Sequence, residues 1–224
     1  MNTILVRQLV AKDLSFQRMP VLAATAAGLL GIALQLSSSE GAFYVGVVLL
    51  ITGVISCGIY LAFLTVVKER TQGTLPFVMS LPIGVREYTA AKLAANLILF
   101  LASWSLLGVS SAAVILTRDS VPDGLLPYAV LLLLHMLTGY ALTLGVALVA
   151  GTEGWTIAAM AVSNLSFQGF LYWTAHIDDI AATMSGSVPV WTGSVRWLIA
   201  AELLTVAVIL TVTWIWQSRK TDFT

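Results

Sequence analysis

This sequence has few charged side chains. Only 10% of its 224 residues are Asp, Glu, Lys or Arg, whereas 58% are hydrophobic. Soluble domains carry about 25% charged residues. So few charges cannot keep the surface of a water-soluble domain solvated, and the composition therefore favours a membrane protein. The formal net charge is zero, which argues against a nucleic-acid partner, because such proteins carry a basic excess.

The sequence also has a single cysteine and lacks the phosphate-binding motif of ATPases. The single cysteine, Cys57, lies in an apolar run, so a disulfide within the chain is excluded and no Cys/His zinc pattern exists. No Gly-x-x-x-x-Gly-Lys-Ser/Thr sequence occurs, so the chain has no recognisable ATP site. We therefore expect no catalytic residue, metal or cofactor in the chain itself, and no enzyme activity of its own.

Long apolar stretches are what the sequence does contain. A spanning helix needs roughly 20 mostly apolar residues, and six stretches meet this need. They cover residues 20–36, 42–67, 93–117, 125–150, 155–173 and 196–216, and the fifth is the most polar. Each is too long and continuous for an alternating barrel strand. The sequence predicts an all-α polytopic membrane protein, with one transmembrane domain over residues 1–224.

The basic residues predict how these spans are oriented. If the N-terminus is cytoplasmic, the inside segments hold nine of the 11 basic residues: Arg7, Lys12, Arg18, Lys68, Arg70, Arg86, Lys92, Arg219 and Lys220. The outside segments hold only Arg118 and Arg196. Because positive charge is retained on the cytoplasmic side, both termini are predicted to be cytoplasmic. The expected location is the cytoplasmic membrane.

Two polar segments lie outside the predicted spans. Residues 1–18 are predicted to form an amphipathic interfacial helix, with Leu5, Leu9 and Phe16 on its apolar side. Asp13 and Leu14 depart from that pattern. Residues 174–195 are too polar to span and too apolar for a plain linker, so we expect a short surface-lying or re-entrant helix before the last span.

The loop between the second and third spans is the most informative segment. Gly73 permits a turn, Thr74 can cap a helix, and a short apolar helix is expected over residues 75–80. Pro82 and Gly84 end it. Apolar side chains that neither span nor fold into a domain need a partner surface or the lipid headgroups. The residues themselves leave both alternatives open.

This loop resembles the cytoplasmic loop of ABC-2-type permeases, the membrane subunits of many ATP-binding-cassette exporters. The likeness rests on Glu69-Arg70-x-x-Gly73-Thr74-Leu75, then Leu81-Pro82, then Arg86-Glu87 and Lys92. The six-span layout with both termini inside extends it over the chain. Two positions differ, since Pro76 replaces an acidic or polar residue and Leu81 stands where a small residue is common.

The resemblance implies a specific partner and a specific role for the loop. Residues 75–80 would form a coupling helix seated in a separate nucleotide-binding ATPase subunit, which would bind ATP and magnesium. The implied coupling residues are Glu69, Arg70, Gly73, Thr74, Leu75, Phe77, Val78, Met79, Pro82, Arg86 and Glu87. Two permease subunits, identical or different, would work with two ATPase subunits to export an unidentified substrate. The helix of residues 1–18 would lie at the same interface, and the 174–195 segment would be extracellular.

A few polar residues inside the spans are candidates for a translocation path. Asn164 and Gln168 are four residues apart on the fifth span, so they could line a path together or hydrogen-bond to other helices. Glu202 lies about 9 Å into the sixth span at 1.5 Å per residue, where an acid is costly and usually meets a cavity or partner. His135 heads a stripe with Gly139, Thr143 and Ala147, which favours close helix packing or a proton relay.

Two other functions compete with the exporter subunit. One is a secondary transporter or channel subunit that uses Glu202, Asn164 and His135 directly, although no span has the internal Gly/Pro break typical of that class. The other is a membrane assembly or self-immunity factor that transports nothing.

Overall fold

The computed structural model describes residues 3–64 and 84–220. Within these ranges the chain forms seven α-helices and no strand, which confirms the all-α prediction. The helices are α1 (Thr3–Gln35), α2 (Glu40–Ala62), α3 (Val85–Thr117), α4 (Leu126–Ala150), α5 (Glu153–Ala175), α6 (Asp178–Met184) and α7 (Gly193–Ser218). A single 3-10 turn, Asp123–Leu125, leads into α4.

Five of these helices are long and apolar enough to cross a bilayer. They are α1, α2, α3, α4 with its 3-10 turn, and α7. The chain therefore has the character of a multi-pass helical membrane protein. Helix α5 matches the predicted fifth span in position, and its 23 residues extend about 34 Å at 1.5 Å per residue, but it is less apolar than the other five. A sixth crossing stays a prediction.

The long helices on the N-terminal side of the chain run up and down beside one another. Lys92 near the start of α3 contacts Asp13 near the start of α1, with Nζ 2.7 Å from Oδ2. At the other end, the Arg118 guanidinium after α3 donates to the Gln35 carbonyl at the end of α1. Because α1 and α3 are parallel and joined through α2, the first three long helices alternate in direction.

The same alternation continues through α4, α5 and α7. The Tyr128 hydroxyl, at the start of α4, donates to the Leu171 carbonyl near the end of α5 over 2.9 Å. After α7, the Lys220 ammonium donates to the Val149 carbonyl at the end of α4, also over 2.9 Å. The starts of α1, α3 and α5 and the ends of α4 and α7 therefore share one end of the bundle, which we call the N-terminal end.

Glycines allow α1 and α2 to touch backbone to backbone. A Cβ atom added to Gly31 or to Gly46 would collide with the carbonyl oxygen of the other. Closer to the N-terminal end, about two turns further along α2, a Cβ on Gly53 would lie 3.1 Å from the Gly28 backbone. Small residues at such crossings let membrane helices approach closely. The core beside this crossing contains Phe100 stacked on Tyr140, with ring centroids 3.8 Å apart.

The N-terminal segment differs from its prediction. Residues 3–18 do not form a separate helix, because α1 continues without interruption through Pro20 to Gln35. The apolar side is also different: Phe16 is 79% exposed, whereas Asp13 and Gln17 are buried. The reason is the ion pair between Asp13 and Lys92, which compensates the cost of turning a carboxylate toward α3.

Other predicted boundaries move by a few residues. Helix α3 begins at Val85, eight residues before the predicted third span. Helix α2 is described over Glu40–Ala62, and the predicted end of the second span at residue 67 lies outside the described residues. In the 174–195 segment, α6 is the short helix expected there. Its Ile180 is buried against Leu131 and Val195, so α6 packs against the first turns of α4 and α7.

Candidate functional site

Helix α4 forms the floor of a cleft between α5 and α7. Both of these helices pack along α4, while over their described lengths they have no comparable contact with each other. We call this space the α5–α7 cleft. It brings polar side chains from three helices together inside the apolar bundle, and it holds two of the residues singled out in the sequence, His135 and Glu202.

The polar cluster in this cleft is centred on the imidazole of His135. Its Nδ1 lies 2.8 Å from Oε1 of Glu202 on α7, and its Nε2 lies 3.0 Å from the hydroxyl of Ser166 on α5. The Thr138 hydroxyl, one turn further along α4, donates to Oε2 of the same Glu202. The four side chains therefore connect all three helices.

Burial and ring stacking fix the cluster in place. Only 12% of the His135 side chain and 11% of the Glu202 side chain are exposed. The Phe170 ring lies parallel to the imidazole, with centroids 4.1 Å apart and 6° between the planes. An isolated intramembrane carboxylate is costly, so the two donors from α4 stabilise Glu202 where it lies.

The protonation state of His135 determines the direction of its hydrogen bond with Ser166. The Nδ1 proton of His135 faces the Glu202 carboxylate, and a neutral imidazole then accepts the Ser166 hydroxyl proton at Nε2. An imidazolium donates from both nitrogens, and Ser166 becomes the acceptor. The cluster carries one negative charge with neutral His135 and none with the imidazolium. It can therefore hold a proton or attract a cation.

A small cavity lies against the other side of His135. Its volume is about 40 Å³, which is space for about one water molecule. Its polar lining is His135, Tyr140, Thr143, Ser163 and Asn164. The Asn164 amide donates to the Met160 carbonyl over 2.9 Å.

The two path residues predicted on the fifth span are separated. Asn164 lines the cavity, whereas Gln168 is exposed on the outer surface of α5. The expected pairing of the two along one lining face is therefore not found. Ser163 is turned inward instead, with its hydroxyl 3.1 Å from the Gly139 carbonyl, and Ser166 joins His135 in the cleft.

A second polar network joins helices at the N-terminal end of the bundle. Asp13 and Lys92 form an ion pair in which both side chains are under one-tenth exposed. The Asn96 amide donates to the Lys92 carbonyl over 2.9 Å, and the Tyr140 hydroxyl donates to the Asn96 carbonyl over 3.1 Å. This network links α1, α3 and α4. The departure of Asp13 from the amphipathic pattern was its one signal in the sequence.

Of the predicted coupling residues, Arg86 and Glu87 are described. The Glu87 carboxylate accepts the Gly84 N–H over 2.9 Å, which caps the start of α3. The Arg86 Nε donates to the Ser218 carbonyl at the end of α7 over 3.3 Å. The others lie outside the described residues: Glu69, Arg70, Gly73, Thr74, Leu75, Phe77, Val78, Met79 and Pro82.

Neither a metal centre nor a relative identifies the site. Across residues 3–64 and 84–220, no group of His, Cys, Asp and Glu side chains is arranged to hold a metal ion. Comparison of the chain with protein-family models, curated proteins and solved structures finds no match.

Proposed function

We propose that this chain is the membrane-spanning permease subunit of an ATP-driven exporter whose ATPase is a separate polypeptide. The observation that carries the proposal is the attachment of α3, directly after the loop that resembles a coupling loop. Arg86 contacts the end of α7 and Lys92 contacts α1. A displacement of the loop would therefore reach three helices at once.

A displacement of the loop would be transmitted through α7 to the α5–α7 cleft. Helix α7 is hydrogen-bonded to the start of α3 through Ser218 and carries Glu202 into the polar cluster. Movement of α7 relative to α4 would exchange the Glu202 contacts with His135 and Thr138. In this mechanism ATP binding closes the ATPase pair, the coupling loops move, and the bundle switches between two access states.

The topology belongs to the same proposal. Helix α5 would be the sixth crossing, since it is antiparallel to α4 and bonded to it near both its middle and its end, through Ser163 and Leu171. Its Ser163 and Ser166 hydroxyls are hydrogen-bonded to α4. With six crossings both termini lie on one side, and the distribution of basic residues puts that side in the cytoplasm.

The proposed assembly needs two further components. One is a nucleotide-binding subunit, which would bind ATP and magnesium and receive the loop residues from Glu69 to Pro82. The other is a second permease subunit, identical or different. The lipid bilayer surrounds the assembly.

Co-reconstitution tests this function directly. The chain and a candidate nucleotide-binding subunit are purified together and placed in lipid vesicles, where ATP hydrolysis is measured. We expect a stable complex whose ATPase rate depends on the permease. Phe77→Ala should weaken the complex or abolish the stimulation. Tyr44→Ala is the matched control, because Tyr44 is an exposed aromatic residue at the opposite end of the bundle. Wild-type stimulation by the Phe77 variant would refute the coupling role.

The His135–Glu202 pair favours one competing function, a proton-driven secondary transporter. In that case transport would need a proton gradient and no ATPase subunit. Transport that persists in ATP-free vesicles and stops when an ionophore collapses the gradient would favour this alternative over the exporter.

A further inference from the structure

The α5–α7 cleft is polar at one end and apolar along the rest of its length. On α4, His135 and Thr138 are followed on the same face by Leu142, Val146 and Val149, at spacings of three or four residues. The last three line a groove of about 470 Å³ between α4 and α7, which reaches the first turn of α5. Small-molecule sites have volumes of about 300–1,000 Å³.

The polar cluster and the groove beyond it together have the length of a single hydrocarbon chain. On α7 the groove lining begins at Val208, six residues or about 9 Å after Glu202 at 1.5 Å per residue. From Glu202 to Val212 there are ten residues, or about 15 Å. A chain that fills one leaflet spans half of the hydrocarbon core, also about 15 Å. Trp155 and Trp216 line the far end of the groove. A chain with its head at Glu202 would therefore end close to these two indoles.

The charge at the polar end determines which head fits. Glu202 is the only acidic residue in α4 and α7, and the only acidic residue of α5 is its first, Glu153. Its carboxylate has about four acceptor sites, of which His135 and Thr138 fill two. With neutral His135, the cluster has a net negative charge and the Ser166 hydroxyl can accept a further hydrogen bond. Both features favour a cation that donates hydrogen bonds, and both disfavour an anionic head.

We propose that the α5–α7 cleft binds a single-chain cationic amphiphile, with its ammonium head at Glu202 and Ser166 and its hydrocarbon chain along Leu142, Val146 and Val212. The inference rests on the proposed export function only where it treats this molecule as cargo. Binding itself needs no ATPase subunit. The inference adds a substrate class, which the resemblance of the loop to a coupling loop does not specify.

Bromine quenching of tryptophan fluorescence tests the inference. The purified full chain in phosphatidylcholine nanodiscs is titrated with 12-bromododecylammonium, whose bromine would lie near Trp155 and Trp216. We expect saturable quenching that unbrominated dodecylammonium competes away. Trp216→Phe should reduce the quenched amplitude without moving the midpoint. The uncharged 12-bromododecanol and the anionic 12-bromododecanoate should give only non-saturable quenching from lipid partitioning.

Two variants distinguish the proposed contact between the ammonium head and Glu202 from non-specific binding of a hydrocarbon chain. Glu202→Gln should weaken saturable binding at least tenfold, while Glu153→Gln should leave it unchanged. Glu153 is a matched control because it is exposed and lies two residues from Trp155. Equal affinity for the alcohol, or an unchanged affinity in Glu202→Gln, would overturn the proposal and indicate that bilayer chains fill the groove.

A third variant makes the test independent of the stability of the cluster. Val146→Trp fills the groove and leaves Glu202 in place, so it should abolish saturable quenching even if Glu202→Gln does not fold. If Val146→Trp changes the oligomeric state and leaves quenching intact, the groove is instead the contact of a second copy. Absence of binding in a chain that still stimulates its ATPase would refute the amphiphile alone. Binding in a chain that stimulates no ATPase would refute the exporter alone.

Discussion

The two sides of the bundle are held together in different ways. Helices α1 and α2 meet through glycine, with the backbones of Gly31 and Gly46 in direct contact. Helices α4, α5 and α7 are joined around the cleft by the side chains of His135, Ser166 and Glu202. Close-packed backbones resist displacement, because any shift produces collisions. Side-chain hydrogen bonds can exchange partners, so we infer that the glycine side is the rigid frame and the cleft side the movable one.

The largest expected effect comes from the ion pair that fastens the frame to the start of α3. Lys92→Met leaves the buried Asp13 carboxylate with only the half-exposed Lys12 ammonium, 3.9 Å away, as a cationic neighbour. Breaking a buried pair in this way costs about 3–5 kcal/mol, so we expect that loss in the free energy of unfolding, measured by denaturing-detergent titration. The double variant Asp13→Leu with Lys92→Met should recover most of it. If the double variant is as unstable as Lys92→Met, the ion pair does not hold the frame together.

The glycine contact gives the next largest effect. Gly31→Leu puts a side chain into the backbone of α2, and overpacking of this kind costs about 1–3 kcal/mol. The matched control is Gly169→Leu on α5, where an added Cβ meets nothing within 4 Å. Thermal unfolding in detergent should show a clear destabilisation for the first variant and almost none for the second. Equal stability of the two would contradict the close approach of α1 and α2.

The cleft should be held by a weaker interaction. A double-mutant cycle with His135→Ala and Glu202→Gln isolates the coupling between the two side chains. Hydrogen bonds between membrane helices contribute about 0.6 kcal/mol on average and up to about 2 kcal/mol. We expect a coupling of about 1 kcal/mol. The control cycle Phe63→Ala with Glu202→Gln should give none, because Phe63 follows the end of α2 and Glu202 lies in α7. A coupling of zero for the His135 pair would mean that the cluster does not join α4 to α7.

The helical class and most helix positions follow from the sequence alone. Apolar runs longer than 20 residues leave the backbone no other way to satisfy its hydrogen bonds in lipid, and this is why α4 matches its predicted span closely. The long α1 was harder to foresee, because Pro20 and the polar residues near it favour a break. The partner that keeps those residues inside the bundle, Lys92, lies 79 positions away from Asp13.

The candidate site was only half visible in the sequence. Glu202 and His135 each stand out because charge is rare in the spans, but no periodicity along a single helix indicates that α4 and α7 bring them together. Ser166 carries no signal at all, since serine is a common packing residue in membrane helices. Asn164 and Gln168 were paired by their spacing. The rotation of α5 separates them, and only contact with a neighbouring helix determines that rotation.

The smallest expected effect lies outside both sides of the bundle, in the segment between α5 and α7. Hydrogen bonding from Ser194 is the main cause that lowers the pKa of Asp179 in α6. Because this folded-state pKa is below the unfolded value of about 3.9, the contact stabilises the fold above that value and is lost as the pH falls through the folded pKa. Carbon-13 NMR of labelled Asp carboxyls should detect the depressed titration, and Ser194→Ala should raise it. An Asp179 titration that Ser194→Ala leaves unchanged would show that α6 is not tied to α7 through this carboxylate, and the segment would then belong to neither side of the bundle.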